Sequence, residues 1–124
     1  MRSLLLTVAF CAMGLAPAAQ AALPGDAVRG ERLYQSRCGF CHSPDRDRIG
    51  PRHRGAFGRR VASVPGYRYS AALAARTFTW DAALLDRWLE DPRQLVPGAA
   101  MSTRTKDPQQ RADLIAYLKT LGGR

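Results

Sequence analysis

The residues of this sequence that could do chemistry lie together in one short segment. Cys38, Cys41 and His42 form a C-x-x-C-H sequence, which is the attachment signal for c-type haem. In a helical turn, two intervening residues place both sulfurs along one edge of a porphyrin, where the thiols can add across its vinyl groups. The adjacent imidazole then points at the metal as an axial ligand. The segment therefore predicts one covalently bound haem c, attached through Cys38 and Cys41, with His42 on the iron.

Two other interpretations of the cysteine pair are a thiol–disulfide oxidoreductase and a zinc site. A thioredoxin-like pair requires a βαβ context, which the flanking sequence does not provide. A zinc site requires four ligands. Beyond residue 21 the chain has one further imidazole, His53, and the adjacent Cys41 and His42 fit one tetrahedron poorly. The sequence therefore favours haem over both.

The first 21 residues have the pattern of an export signal. A positive start at Arg2 is followed by an uncharged apolar run from Leu4 to Leu15, and Ala19-Gln20-Ala21 fits an A-x-A cleavage site. The run is too short to be a stable bilayer anchor. We expect a cleaved signal peptide at 1–21 and a domain at 22–124, soluble in the periplasm with no membrane anchor after cleavage.

The charge of the chain limits its choice of partner. It has 19 Lys+Arg against 10 Asp+Glu, a formal net charge of +9, and nearly all of the basic residues are arginine. Such a surface can attract nucleic acid, anionic membrane or acidic protein, or be a solvated face with no single patch. Export argues against nucleic acid. We expect a monomer that meets redox partner proteins through their acidic docking surfaces.

The elements that must position the haem segment are all helical. Apolar spacing and capping residues predict four helices. They run from Ala27 to about Ser36, through Arg76 with Ser70 as cap, from Ala82 to about Glu90 with Thr79 or Asp81 as cap, and from Pro108, with Asp107 as cap, to an end at Gly122-Gly123. No segment between them predicts a convincing strand. The fold class is therefore all-α, with four or five helices. The connecting loops are long for a compact domain unless they wrap around a central haem.

Met101 is the candidate for the second axial ligand. It is the only methionine beyond residue 21, and it lies in an irregular loop about sixty residues after His42. A lone methionine can also fill a gap in a core. Its neighbours Ala100 and Ser102 do not have a core-helix pattern, which favours a thioether ligand to haem iron.

Taken in order, these residues resemble a class I cytochrome c of the soluble mitochondrial and bacterial type, over nearly all of 22–124. The matching residues are Gly30 with Tyr34, Cys38-x-x-Cys41-His42, Gly50-Pro51, Gly55-x-Phe57-Gly58-Arg59, Gly66-Tyr67-x-Tyr69-Ser70, Trp80, Trp88-Leu89-x-Asp91-Pro92, Pro97-Gly98-x-x-Met101 and the run 111–118. The resemblance implies the cytochrome c fold, wrapped around one covalently attached haem.

The resemblance also implies roles for individual residues. It makes Met101 the distal ligand and gives the carbonyl of Pro51 to His42. Arg59, Tyr69 and Trp80 would hold a haem propionate, Trp88 would pack near the methionine, and Gly30, Tyr34, Leu114 and Tyr117 would form the crossing of the first and last helices.

The chain departs from the family pattern at three positions. His53 stands where leucine is usual beside the haem, Ala99 replaces a threonine that usually reaches a propionate, and Leu73 replaces a polar residue near the methionine. We expect His53 to be a surface or packing residue, with an alternative axial ligand as the other interpretation.

Ligation by histidine and methionine closes both axial positions, so that the iron only changes charge. The sequence therefore predicts an electron-transfer protein and not an enzyme. It would be a periplasmic one-electron carrier in a respiratory chain, between membrane complexes or a dehydrogenase and a terminal acceptor. The alternatives are a fixed cytochrome c subunit of a periplasmic dehydrogenase complex, or a haem enzyme or gas sensor if Met101 does not bind iron.

Overall fold

The computed structural model describes residues 23–122, so the predicted signal peptide at 1–21 lies outside the described residues. The regular structure within this range is α1 (Ala27–Leu33), a π-helical turn (Tyr34–Cys38), α2 (Ala71–Ala74), α3 (Ala82–Glu90), α4 (Pro92–Leu95) and α5 (Pro108–Thr120). The β-type pairing recorded there is one isolated bridge between Arg60 and Thr79. The prediction of an all-α fold with long loops is confirmed.

Each α-helix begins at a side chain that accepts a hydrogen bond from a free backbone N–H of the first turn. The capping residues are Asp26, Ser70, Asp81, Asp91 and Asp107. Such caps satisfy donors that have no partner within the helix. Asp81, and not Thr79, caps α3. No helix between residues 23 and 122 is long and apolar enough to cross a membrane.

Two helix ends differ from the sequence prediction, and one short helix was not predicted. The first helix continues past Leu33 as a π turn, in which the Gly39 N–H donates to the Tyr34 carbonyl at 2.9 Å. The helix capped by Ser70 ends at Ala74, two residues before the expected Arg76. A short helix, α4, follows Asp91 directly because that residue caps it and Pro92 suits its first position.

Helices α1 and α5 cross in close contact at Gly30. A Cβ atom on Gly30 would lie 2.0 Å from the Asp113 carbonyl oxygen, so the two backbones touch where only glycine fits. One turn along α1, the Tyr34 ring packs on the Tyr117 ring with centroids 5.1 Å apart. Leu114 is 1% exposed in the same core. These contacts confirm the predicted crossing of the first and last helices.

A buried carboxylate ties the start of α1 to α5. The Asp113 side chain is 4% exposed and accepts hydrogen bonds from Arg29 Nε at 2.8 Å and from the backbone N–H of Asp26 at 2.8 Å. The side-chain amide of Gln109 donates a further bond at 3.1 Å. The hydrogen bond from Arg29 is the main cause that lowers the pKa of Asp113 to about 2, because it favours the charged form.

Arginine side chains hold loops that have no regular backbone pairing. Arg48, Arg59, Arg93 and Arg111 each donate to at least one loop carbonyl, at distances between 2.6 and 3.2 Å. A guanidinium group has five donors in a rigid fork, so one side chain can satisfy several acceptors. Arg111 bonds the carbonyls of Thr105 and Lys106 while Asp86 accepts from its Nε at 2.7 Å.

Replacing Gly30 by alanine should destabilise the protein, because the new methyl group meets the backbone of α5 and not a mobile side chain. We expect a loss of about 1–3 kcal/mol in the free energy of unfolding, the usual cost of overpacking. Gly122→Ala is the control, since the nearest atom to its new Cβ is 3.8 Å away. Denaturant titration of both variants measures the difference. Equal stability of the two would contradict the close crossing.

Candidate haem-binding site

All nine site residues predicted from the sequence line one cavity of about 310 Å³. They are Cys38, Cys41, His42, Pro51, Arg59, Tyr69, Trp80, Trp88 and Met101. The wall is drawn from the π turn, the loops on either side of α2, helix α3, the loop before α5, and α5 itself. Residues as far apart in the chain as Tyr34 and Leu118 are therefore brought to one place.

The π turn and the tight turn after it place the haem-attachment residues on the cavity. The π turn ends at Cys38, and the backbone N–H groups of Cys41 and His42 both donate to the Cys38 carbonyl, at 3.0 and 2.8 Å. This folds the pentapeptide so that both sulfurs and the imidazole line the same cavity. The three side chains that the sequence motif predicts for haem attachment therefore border one space.

Burial raises the pKa of the Cys38 thiol to about 11, although the neighbouring charge of Arg37 opposes the shift. The thiol is therefore protonated at neutral pH. A nucleophilic cysteine of a thiol–disulfide oxidoreductase needs a lowered pKa, since the thiolate is the reactive form. The environment of Cys38 counts against that alternative.

The His42 ring is held in the tautomer that a metal ligand needs. Its Nδ1 atom lies 2.9 Å from the Pro51 carbonyl oxygen. A carbonyl can only accept, so Nδ1 carries the proton and Nε2 keeps a free lone pair. Burial lowers the pKa of His42 and outweighs the hydrogen bond to Pro51, which raises it. The ring is therefore neutral at neutral pH and able to bind iron.

Gly50 brings the backbone against this ring. Its N–H donates to the Cys41 carbonyl at 2.8 Å, which fixes the segment beside the haem motif. A Cβ atom at Gly50 would lie 2.1 Å from His42 Cε1. The position therefore requires glycine for the close approach of Pro51 and its carbonyl to the imidazole.

Met101 lies in a loop that is anchored on both sides. Before it, Arg93 Nε donates to the Ala99 carbonyl at 3.1 Å. After it, the Thr105 N–H donates to the Leu89 carbonyl at 2.7 Å. Met101 is half-buried and lines the cavity. The loop thus presents a thioether to the cavity that His42 also lines.

Besides Pro51, the residues assigned to the haem environment are two polar side chains and two tryptophans. Arg59 donates to the carbonyls of Arg54 and Arg52, and Tyr69 accepts a hydrogen bond from the backbone N–H of Val64 at 3.1 Å. Burial lowers the pKa of Arg59. Trp80 and Trp88 pack edge to face with ring centroids 5.3 Å apart. Two polar groups and an aromatic wall therefore border the same space.

The donor set fits a covalently bound haem. Two thiols, a neutral imidazole with a free Nε2 and a thioether border one cavity with a largely apolar and aromatic wall. A group of three His, Cys, Asp or Glu side chains able to hold a bare metal ion is not found within residues 23–122. The chemistry of the cavity is that of a macrocycle site.

Sequence reasoning left some residues of the cavity without a role. Leu114 was assigned to the helix crossing, and Leu118 lies in the matching run 111–118 without a role. Both are buried and also line the cavity, so one face of α5 belongs to the core and to the cavity wall. Tyr67 belongs to the matching segment from Gly66 to Ser70 but was given no contact; its hydroxyl donates to the Ile49 carbonyl at 2.6 Å.

His53, expected on the surface or in packing, stacks on His42, with the ring centroids 4.0 Å apart. Burial and nearby His42 and Arg59 lower the pKa of His53 well below its ordinary value.

Known proteins share this fold and sequence. The family profile described as cytochrome c matches residues 27–122. Cytochrome c from Euglena viridis is 42% identical over 100 residues, which cover 78% of this chain and 98% of that one. Cytochrome c2 from Rhodomicrobium vannielii is 37% identical over 122 residues, covering 95% of this chain and 97% of that one. The solved structure of cytochrome cH from Methylobacterium extorquens matches with a TM-score of 0.74 at 40% identity, over 77% of this chain and 99% of that one.

The chain therefore belongs to the cytochrome c family, as a class I monohaem cytochrome c. Proteins of this family are electron-transfer proteins and not enzymes, and they carry covalently bound haem c. The predictions of family, fold, cofactor and non-enzymatic role are confirmed. Cys38 and Cys41 fit the attachment motif of that cofactor.

Replacing Gly50 by alanine should displace the His42 ring, because the new methyl group would overlap its atoms. We expect a lower yield of haem-attached protein and a loss of about 1–3 kcal/mol in the free energy of unfolding. Haem staining of the expressed protein and denaturant titration measure the two effects. Wild-type yield and stability would contradict the close contact between Gly50 and His42.

Proposed function

We propose that this protein is a periplasmic carrier of single electrons, with haem attached through Cys38 and Cys41 and iron bound by His42 and Met101. The observation that carries the proposal is that all four side chains line one cavity, with the His42 Nε2 lone pair free. The bound haem supplies an iron centre that gains or loses one electron. Two protein ligands leave no open coordination position for oxygen or carbon monoxide.

The remaining residues of the cavity would allow electron exchange without rearrangement of the protein around the haem. Trp80 and Leu114, at 8% and 1% exposure, exclude water from the cavity wall. The hydrogen bond to Pro51 fixes the His42 ring, and the anchored loop fixes Met101, so neither ligand has to move when the charge changes. Arg59, Tyr69 and Trp80 are the groups we assign to a haem propionate, and Trp88 packs on the methionine side.

Export to the periplasm is supported by the sequence pattern of residues 1–21, with cleavage after Ala21. The similarity to the Rhodomicrobium vannielii cytochrome c2 spans 95% of this chain and so extends into that segment. Covalent attachment of haem is compatible with an oxidising compartment because both cysteines of the domain are used in thioether bonds. The domain at 22–124 would then act as a soluble monomer.

Acidic redox partners are supported by the charge around the cavity. Arg37 and Arg68 are exposed and line the cavity, so its mouth is basic. Phe40, between the two cysteines, is 82% exposed, and Ile49 is 67% exposed. A small apolar contact with a positive rim suits weak, rapid docking to an acidic surface. The donor would be a membrane complex or a dehydrogenase, and the acceptor a terminal oxidase.

The ligand role of Met101 is tested by Met101→Ala. We expect the reduced variant to bind carbon monoxide and its reduction potential to fall by on the order of 0.1 V or more, given that axial ligands span about 0.8 V. Ser102→Ala, at the next position in the same cavity, is the control and should behave as wild type. Optical spectra with and without carbon monoxide and a redox titration give the readouts.

Two results would redirect the proposal. Carbon monoxide binding to the wild-type protein would mean an open iron, which supports a haem enzyme or gas sensor. A Met101→Ala variant with unchanged potential and no carbon monoxide binding would mean that another residue supplies the sixth bond.

The docking proposal predicts salt dependence. The rate of electron transfer to an acidic partner protein should fall about tenfold or more as salt screens the attraction between ~20 and ~200 mM. Arg37→Gln and Arg68→Gln should weaken this dependence more than Arg76→Gln, an exposed arginine that does not line the cavity. Stopped-flow mixing measures the rates. A complex with a dehydrogenase that survives high salt would instead indicate a fixed subunit.

A further inference from the structure

The His53 ring lies flat on the His42 ring. The ring centroids are 4.0 Å apart and the planes differ by 21°. A leucine, which the family resemblance predicts at this position, has no flat face to offer. The stacking contact therefore depends on the histidine that this chain has at position 53. It places a second aromatic ring beside the imidazole assigned to the iron.

The backbone around His53 is bonded to the segment that follows His42. The His53 N–H donates to the Ser43 carbonyl at 3.0 Å, and the Arg54 N–H donates to the Pro44 carbonyl at 2.8 Å. The His53 carbonyl accepts from the Ala56 N–H at 2.8 Å. Because Ser43 is the next residue after His42, these bonds fix the two histidines relative to each other.

The side chain of His53 also contacts Tyr34, which lies at the crossing of α1 and α5. Its Nδ1 lies 3.1 Å from the Tyr34 hydroxyl oxygen, and the two rings meet edge to face with centroids 5.6 Å apart. Tyr34 is 3% exposed and packs on Tyr117 of α5. The Tyr34 side chain is therefore restricted in its motion, and its hydroxyl restricts the His53 ring in turn.

We propose that His53 is a positioning residue for the His42 imidazole, with the Tyr34 hydroxyl as its anchor. The hydrogen bond from His42 Nδ1 to the Pro51 carbonyl fixes one edge of the ring but permits the ring plane to tilt about that bond. A flat ring stacked on one face blocks the tilt. Tyr34 at the crossing of α1 and α5 therefore restrains His53, and His53 in turn fixes the plane of the His42 imidazole.

This inference rests on the proposed role of His42 as an axial ligand, and it has a spectroscopic readout. In low-spin ferric haem with one imidazole and one thioether ligand, the imidazole plane and the thioether orientation together determine how the unpaired electron is shared among the haem methyl groups. At an unchanged thioether orientation, the order and spread of the paramagnetically shifted methyl signals in proton NMR report the imidazole plane. A role of His53 in packing alone would leave this order unchanged.

The experiment uses the ferric protein with attached haem and compares His53→Leu, Tyr34→Phe and the double variant. We expect His53→Leu to change the order or spread of the methyl signals, and Tyr34→Phe to change them in the same direction by less. In the double variant, loss of the hydroxyl should add nothing to His53→Leu, because the hydroxyl acts through His53. Tyr117→Phe is the matched control, since it removes a hydroxyl from the same helix crossing and the Tyr117 ring packs on Tyr34 and is not paired with a histidine ring.

Two results would overturn the proposal. One is a folded, low-spin His53→Leu protein with the wild-type methyl pattern. The other is a Tyr34→Phe change no larger than that of Tyr117→Phe. If His53→Leu does not give folded protein, Tyr34→Phe decides the matter against the same control. Failure of the proposed ligation is distinguishable, because it would appear as a wild-type protein without a low-spin spectrum.

Discussion

The close crossing of α1 and α5 is the contact on which the rest of the structure depends. Because Gly30 has no side chain, the two helix backbones touch, and the end of α1 is fixed over α5. The π turn that continues α1 carries Cys38 to the cavity, and the face of α5 that includes Leu114 forms the opposite part of the same core and wall. The contact that places Cys38 thus joins residues more than eighty positions apart in sequence.

The same residues serve as protein core and as cofactor wall. Trp80, Leu85, Leu89 and Leu114 belong to the buried cluster and also line the cavity. A domain of this size buries a modest apolar surface by itself. A large apolar cofactor therefore completes the core, and long loops can surround it without regular pairing. Binding of the haem and folding of the chain are coupled because they use one set of contacts.

The sequence predicted those parts of the fold that depend on local chemistry. Ser70, Asp81 and Asp107 cap their helices as expected, and the haem motif lies on a turn because adjacent residues bond to one carbonyl. The π turn at Tyr34–Cys38 was not predicted, because an extra residue in a turn leaves the apolar spacing nearly unchanged. The stacking of His53 on His42 was also missed, since it depends on backbone bonds between two loops that no local pattern records. All candidate site residues lie on one cavity, and their roles toward the haem remain proposals.

Because arginine side chains hold the loops, chemistry that acts on amino groups leaves these contacts intact. A guanidinium group keeps its proton in alkaline solution, where the amino group of lysine loses its charge. Arg93, at the loop of Met101, is one of the arginines that bond loop carbonyls. The chain has only two lysines, Lys106 and Lys119, so acetylation of amino side chains would remove little of its positive charge. Its electrostatic surface is thus resistant to the modifications that neutralise lysine-rich proteins.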